Sequence, residues 1–209
     1  MKIPLSGLLA LALAPTAVCV AAPDDKIEPP AQYSLQMGDK TLALTLGKEV
    51  ETEGVAGQTR LKLSRQPLRE FNKSGVRLRY PVDYTFEADL TTPNVAVWTM
   101  SGASSSVMLQ RFPLAPAATL RKTMTDGLVE EYGRKNVTVV PTTLLVNGRK
   151  IAGDQLKVVL ANQRLVQEVF TFSTAKNSFV LVIQDTPDKN AATAEFKRLK
   201  TLVSESLRF

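Results

Sequence analysis

The amino-acid sequence predicts an α+β fold, in which an antiparallel β-sheet is flanked by two main α-helices and preceded by an extra N-terminal β-hairpin. Residues 141–184 have the pattern of a four-stranded meander with short turns. An amphipathic helix is predicted after Pro116, and a second one closes the chain. Because a sheet buries a face and a helix buries a stripe, these elements are expected to pack as helices on a sheet.

The strongest single turn signal lies inside the meander, where Asn147 and Gly148 separate two apolar runs. Both residue types tolerate the positive φ angles of a two-residue hairpin turn. The last two strands of the meander, at residues 165–172 and 178–183, are apolar on both sides. Such strands are typical of the centre of a sheet that is covered on both faces.

Two amphipathic helices are expected beside this sheet. The first runs over residues 116–133, with Pro116 in its first turn and Gly133 as its C-terminal stop. The apolar stripes recur every three or four residues. The two stripes comprise Leu120, Met124 and Leu128 in the first helix, and Ala192, Phe196, Leu199, Val203 and Leu207 in the last. Asp185 and Asp188 precede the last helix, where carboxylates usually cap the free N–H groups.

The N-terminal 21 residues have the three parts of a secretory signal peptide, with cleavage expected after Ala21. Their apolar run is shorter than the ~20 residues of a bilayer span. We therefore expect a periplasmic or secreted protein without a transmembrane span. Lipidation at Cys19, the only cysteine, is disfavoured because residues 16–18 lack the usual leucine and small residue ahead of the cysteine.

Composition excludes several classes of function. The formal net charge of +6 over 209 residues is well short of the clustered excess of a nucleic-acid-binding protein. The chain has no histidine, which removes Ser-His-Asp and Cys-His triads and histidine metal sites. We expect no catalytic residues, no cofactor and no metal, and hence a protein that is not an enzyme.

The chain is expected to begin, after the signal peptide, with a charged and proline-rich segment. Residues 22–32 have the composition of a disordered tether. Residues 33–70 are predicted to form the N-terminal β-hairpin extension, because leucines alternate with polar residues on either side of Gly38 and Asp39. Residues 71–209 are predicted to form the main domain.

Four cations form the candidate binding surface: Arg60, Lys62, Arg77 and Arg79. In both segments the cations alternate with apolar residues, so pairing of the two strands would place all four on one sheet face. Such a face would attract an acidic protein or an anionic lipid surface. The alternative is a solvated face whose cations pair with acids from other strands.

A second candidate site is an apolar pocket lined by Trp98, Met100 and Met108. Residues 95–99 and 105–111 are predicted to form two strands around a loop of small residues, which brings these side chains near one another. A cavity at this place would suit a small-ligand or lipid carrier. The alternative is ordinary core packing.

Several segments resemble the PsbP-like/DcrB-like fold superfamily. They are GVRLRYPVDYTFE (75–87), TLRKTMTDGLVEEYG (119–133), EVFTFSTAKNSFVLVIQDTP (168–187) and SESLRF (204–209). The resemblance implies an antiparallel sheet flanked by helices over about residues 75–209. Tyr84 stands where the superfamily usually has a tryptophan, and the lack of histidine rules out carrying over the histidine-dependent metal site proposed for some plant members.

The resemblance leaves the function open, because members serve as photosystem accessory subunits, nuclear-transport cofactors and bacterial envelope proteins. The predicted signal peptide favours the envelope branch. We therefore expect a non-enzymatic exported protein that binds a protein or an anionic envelope component through its cationic sheet face. The alternative is a small-ligand or lipid carrier with an apolar cavity between sheet and helices.

Overall fold

The computed structural model describes residues 23–52, 60–160, 163–187 and 191–209. The predicted signal peptide, Cys19 and Asp188 lie outside these ranges. Within the described ranges, neither long helix is long and apolar enough to cross a membrane. The chain is an α+β protein made mostly of antiparallel strands.

Most of the described chain belongs to regular elements, which are numbered here in chain order. The strands are β1 (Gln32–Met37), β2 (Lys40–Thr45), β3 (Leu61–Arg65), β4 (Leu68–Lys73), β5 (Val76–Pro81), β6 (Thr85–Asp89), β7 (Ala96–Ser101), β8 (Ser105–Pro113), β9 (Val137–Val146), β10 (Arg149–Leu160), β11 (Gln163–Ser173) and β12 (Asn177–Asp185). The helices are α1 (Ala117–Tyr132) and α2 (Ala194–Ser206), with short 3₁₀ turns at Pro23–Lys26 and Arg134–Asn136.

A seven-stranded antiparallel sheet with the order β6-β7-β8-β12-β11-β10-β9 forms the centre of the molecule. The predicted meander is confirmed as β9 to β12, and Asn147 and Gly148 turn the chain between β9 and β10 with φ angles of 50° and 77°. β12 then pairs with β8, which lies far from it in sequence. The middle of the sheet therefore joins strands that are far apart in the sequence.

The two helices cover opposite faces of this sheet. Helix α2 packs on one face, against the larger core cluster that contains Trp98, Phe170 and Phe179. Helix α1 packs on the other face, where Leu120, Met124 and Leu128 contact a smaller cluster. The expected coverage of β11 and β12 on both faces is confirmed, since both strands are buried along their middles.

The β4–β5 hairpin is a separate two-stranded sheet that lies against α2. Its inward face carries Phe71, Leu78 and Tyr80, all with no solvent exposure. The backbone N–H groups of Arg77 and Arg208 each donate to the other residue's carbonyl, at 3.0 and 2.8 Å. The hairpin therefore packs into the core through its inward face and holds the residues after α2 through these two backbone hydrogen bonds.

The N-terminal strands form a third sheet, with the order β2-β1-β3. Within it β1 pairs with β2 around the turn at Gly38 and Asp39, and β3 pairs with the other edge of β1. Leu61 and Leu63 lie on one face of β3, and their exposed fractions are 64% and 62%. This small sheet therefore presents an apolar surface to solvent.

Helix α2 begins in a network of polar groups. Thr193 caps the helix by accepting from the Phe196 N–H at 3.1 Å. Buried Asp185 accepts from both the N–H and the hydroxyl of Thr193, at 3.0 and 2.7 Å. The structural interpretation of Asp185 as part of the helix start is therefore the one that the contacts support.

The first turn of α2 is also anchored through Glu195, whose carboxylate is held by the β7–β8 loop. It accepts from the N–H groups of Ala103 and Ser104 and from the Ser104 hydroxyl, at 3.1, 2.8 and 2.6 Å. Burial raises the pKa of Glu195, but the hydrogen bonds from Ser104, Tyr84 and Ala103 outweigh it, so the pKa lies below its ordinary value.

We expect Glu195→Gln to lower the free energy of unfolding by about 2 kcal/mol at neutral pH, because hydrogen bonds to a charged group are lost. A depressed pKa stabilises the fold above the unfolded pKa near 4.5, and the contribution disappears as the pH falls through the folded pKa. Urea unfolding across the acid range should therefore show the two proteins converging. Exposed Glu130→Gln is the control, and a constant gap at all pH values would contradict the prediction.

Candidate functional site

The structure separates the four predicted cations into two pairs. Lys62 lies on β3 and Arg60 directly precedes it, whereas Arg77 and Arg79 lie on β5. β3 pairs with β1 and β5 pairs with β4, so the predicted pairing of the two cationic strands is wrong. The reason is that β4, which the sequence pattern did not indicate, occupies the position beside β5.

Arg77 and Arg79 also have the acidic partner that the first interpretation lacked. Glu70 lies directly opposite Arg79 on β4. Its carboxylate oxygens are 3.5 Å from Arg77 Nε and 3.8 Å from Arg79 Nε. For these two arginines the contacts match the alternative interpretation, in which the cations pair with an acid from a neighbouring strand.

The predicted pocket of Trp98, Met100 and Met108 does not form either. Trp98 and Met100 have no solvent exposure and belong to the core on the α2 side. Met108 lies opposite Thr99, so it points to the other face of the sheet and packs in the cluster beneath α1. Strand alternation separates the three side chains, and core packing explains the first two.

A cleft of about 720 Å³ lies where the β3–β4 connection, the end of β5 and helix α2 meet. We call it the cationic cleft. We call its apolar lining residues the floor, namely Pro67, Leu68, Pro81, Val82 and Leu202. We call its charged and polar lining residues the rim, namely Arg65, Asp83, Lys197, Arg198, Thr201 and Glu205.

The floor of the cationic cleft is held by the hairpin backbone. Leu68 and Pro81 are directly opposite each other in the β4–β5 pair. The Val82 N–H donates to the Pro67 carbonyl at 2.9 Å, which closes the end of the hairpin. Two prolines with restricted φ angles add to this rigidity. The floor is therefore preformed.

Helix α2 supplies one wall of the cationic cleft. Phe196 and Leu199 face the core, so the exposed positions between them and beyond carry Lys197, Arg198 and Thr201. This alternation is the ordinary consequence of 3.6 residues per turn. The helix that closes the core thus also presents adjacent cations to the cleft.

The rim has an excess of positive charge, with Arg65, Lys197 and Arg198 against Asp83 and Glu205. A smaller cleft of about 190 Å³ adjoins it, shares Leu202 and Glu205, and is lined by the arginines of β5 together with Arg208. The Arg77 and Arg79 of the first hypothesis therefore lie next to the cationic cleft, although they do not line it.

An exposed apolar track leads toward the cleft along β3. Leu61, Leu63 and Arg65 alternate on one face of the strand, and Arg65 lines the cleft. Within the described residues, β3 pairs only with β1. One edge of β3 can therefore form backbone hydrogen bonds with an added strand.

The lining of the cationic cleft has features that fit a ligand-binding surface. In the parts of the chain that the structure describes, no group of three or more His, Cys, Asp or Glu side chains could hold a metal ion. The cleft combines an apolar floor with exposed cations and meets the end of β3 at Arg65, which together fit an extended ligand with apolar and acidic groups.

Sequence reasoning missed the cationic cleft because its residues are far apart in the chain. Two signals were available in the sequence: Lys197 and Arg198 on the polar face of the last helix, and Pro67 and Pro81 at the two ends of the β4–β5 segment. The first predicts exposed cations, but nothing local indicates which hairpin packs beside them.

Neither protein-family models nor curated proteins match this chain. The function is therefore inferred from the geometry of the cleft and its surroundings.

Proposed function

We propose that this chain is a non-enzymatic exported protein of the PsbP-like/DcrB-like fold that binds an extended acidic segment of a partner protein in the cationic cleft. The observation that carries the proposal is the preformed apolar floor beneath Arg65, Lys197 and Arg198. The predicted signal peptide supports export. The two main helices on an antiparallel sheet support the fold.

Each part of the cleft contributes a different component of recognition. Burying apolar ligand groups on Leu68, Val82 and Leu202 contributes affinity at ~25 cal/mol per Å². The exposed cations mainly increase the association rate and the selectivity for acidic ligands, because they stay partly solvated. The edge of β3 allows main-chain pairing that reads an extended conformation.

A small-ligand or lipid carrier is the second candidate. The cleft volume of about 720 Å³ and its apolar floor favour it, because ligand pockets commonly measure ~300–1,000 Å³. An amphiphile with an anionic headgroup would use the same floor and cations. An acidic peptide and an anionic vesicle therefore serve as separate probes.

The test uses a fluorescein-labelled peptide of alternating glutamate and leucine, with fluorescence anisotropy as the readout. We expect the Lys197→Glu/Arg198→Glu variant to bind it about tenfold more weakly, because two attractive charges become repulsive. The matched control is Arg134→Glu/Lys135→Glu, another adjacent pair of exposed cations. It changes the net charge by the same amount but lies outside the cleft.

Equal affinity of all three proteins for the peptide would refute binding in the cleft. Retention on phosphatidylglycerol vesicles that is lost only in the cleft variant, without peptide binding, would favour the carrier. Raising the salt concentration should weaken peptide binding to the wild type, since the rim charges are exposed.

A further inference from the structure

An acidic segment at the start of the described chain is bound to the main domain. Composition predicts a disordered tether over residues 22–32, whereas the structure places a 3₁₀ turn at Pro23–Lys26 and buries Asp25. We call residues 23–31 the acidic segment. Its acids face a cluster of side chains that we call the socket, namely Arg69, Lys73, Trp98 and Arg111.

The centre of the socket is a buried ion pair. Arg111 Nη1 lies 3.6 Å from Asp25 Oδ2, and both side chains are less than one-tenth exposed. The same nitrogen donates to the Ser74 hydroxyl at 2.9 Å, and the guanidinium carbon lies 5.8 Å from the centre of the Trp98 ring. A buried guanidinium needs a charged partner, and the acidic segment supplies it.

The acidic segment is also held through its backbone. Trp98 Nε1 donates to the Asp25 carbonyl at 2.8 Å, and Lys73 Nζ donates to the Asp24 carbonyl. Burial lowers the pKa of Lys73, and the nearby carboxylates of Asp25 and Asp24 oppose that effect. The socket therefore contacts both the acidic side chains and the backbone carbonyls of the acidic segment.

The third acid completes the match, because Glu28 forms an ion pair with Arg69. By contrast Ile27, the large aliphatic side chain of the segment, is 60% exposed. The segment is thus held by acids, by backbone carbonyls and by buried Pro29, while its largest apolar side chain faces solvent. Charge and hydrogen bonding of this kind can be supplied by any extended chain with the same spacing of acids.

We propose that the socket is a recognition site for an acidic extended protein segment, and that residues 23–31 are its intramolecular ligand, exchangeable for the same sequence supplied in trans. The ligand class is two adjacent acids followed by a third acid three residues later. A second copy of this chain contains the same segment. The site is separate from the cationic cleft and does not depend on the proposed function.

The test keeps the full chain and weakens its own segment with Asp24→Asn/Asp25→Asn/Glu28→Gln. The probe is a fluorescein-labelled peptide with the sequence of residues 23–31, followed by anisotropy. We expect this variant to bind the peptide, and the wild type, whose socket is filled, to bind it at least about tenfold more weakly. The matched control is Asp39→Asn/Glu49→Gln/Glu51→Gln, which neutralises three exposed acids elsewhere.

Trp98 gives an independent readout, because it is the only tryptophan in the chain. Its emission should shift to longer wavelength in the segment variant and return to the wild-type position when unlabelled peptide saturates the socket. The peptide contains no aromatic residue, so it contributes no emission of its own. A peptide with its three acids replaced by amides should not restore the signal.

A folded segment variant that fails to bind the acidic peptide would overturn the proposal, as would equal binding by the variant, the wild type and the control. If the triple variant does not fold, Asp24→Asn/Glu28→Gln takes its place, because it keeps Asp25 opposite Arg111. The folded double variant is then expected to bind the peptide more tightly than the wild type does. If it does not, the proposal that the acidic segment can be exchanged for a peptide in trans is refuted.

Discussion

Replacing Gly153 with alanine is expected to cost about 3 kcal/mol of the free energy of unfolding, which is large for the addition of one methyl group. An alanine Cβ at this place on β10 would lie 2.4 Å from Cδ1 of Phe170 and 2.5 Å from the Val169 carbonyl oxygen. Phe170 has no exposure and the carbonyl belongs to the paired strand β11. Neither neighbour can withdraw without moving the sheet.

Thermal unfolding should show a fall of about 6–12 °C in Tm for a chain of this size. Gly127→Ala is the matched control, because Gly127 lies on the exposed side of α1 with nothing within 4 Å of a new Cβ. The same substitution there should raise stability by up to about 1 kcal/mol, through helix propensity. Adding Phe170→Leu should partly rescue Gly153→Ala, and unchanged stability of the single variant would contradict the close approach of the strands.

Replacing Phe196 with alanine is expected to cost about 4 kcal/mol, because it deletes a large buried side chain and leaves a cavity. Phe196 is 4% exposed and belongs to the larger core cluster, at the place where α2 meets the seven-stranded sheet. Urea unfolding monitored by circular dichroism measures the loss. The midpoint should fall with little change in slope.

Two comparisons make the Phe196 prediction specific. Exposed Arg198→Ala on the same helix should change stability by less than about 0.5 kcal/mol. Met124→Ala on α1 should cost less than Phe196→Ala, since Met124 is only partly buried against the smaller cluster. Equal losses in the free energy of unfolding at Phe196 and Met124 would contradict the prediction that α2 covers the larger core cluster and α1 the smaller one.

The elements that could be predicted from the sequence are those with local signals. Asn147 and Gly148 mark a hairpin because the turn itself requires positive φ angles. Both helices could be predicted because an apolar stripe repeats along each one, and Leu120 and Phe196 do face the core. Helices and hairpins of this kind depend on neighbours that are close along the chain.

The pairing of separate segments could not be predicted in the same way. The alternation in β3 and β5 shows that each is a strand but not which strand lies beside it. The segment containing Glu70 and Phe71 lacks a regular alternation of apolar and polar residues, so the sequence does not indicate β4. Lys200 on α2 lies 2.7 Å from the buried carboxylate of Glu168 on β11, a contact between distant segments that no local pattern indicates.

The socket left one signal that composition alone could not interpret. In β8 the inward positions are Val107, Leu109 and Arg111, so an arginine follows two core residues on the same face. An inward cation on a core strand requires a buried acid. That acid is Asp25, which sits in a segment whose prolines and charges suggest disorder.

The position of β12 has a consequence for how the chain acquires its structure during synthesis. β12 is the final strand in chain order, yet it lies between β8 and β11 in the interior of the sheet. Asn177 on β12 pairs with Pro113 on β8. The long stretch of chain between these residues must therefore be brought end to end before the two strands can pair, which costs conformational entropy. A growing chain therefore cannot complete its central sheet until the residues up to Asp185 have emerged.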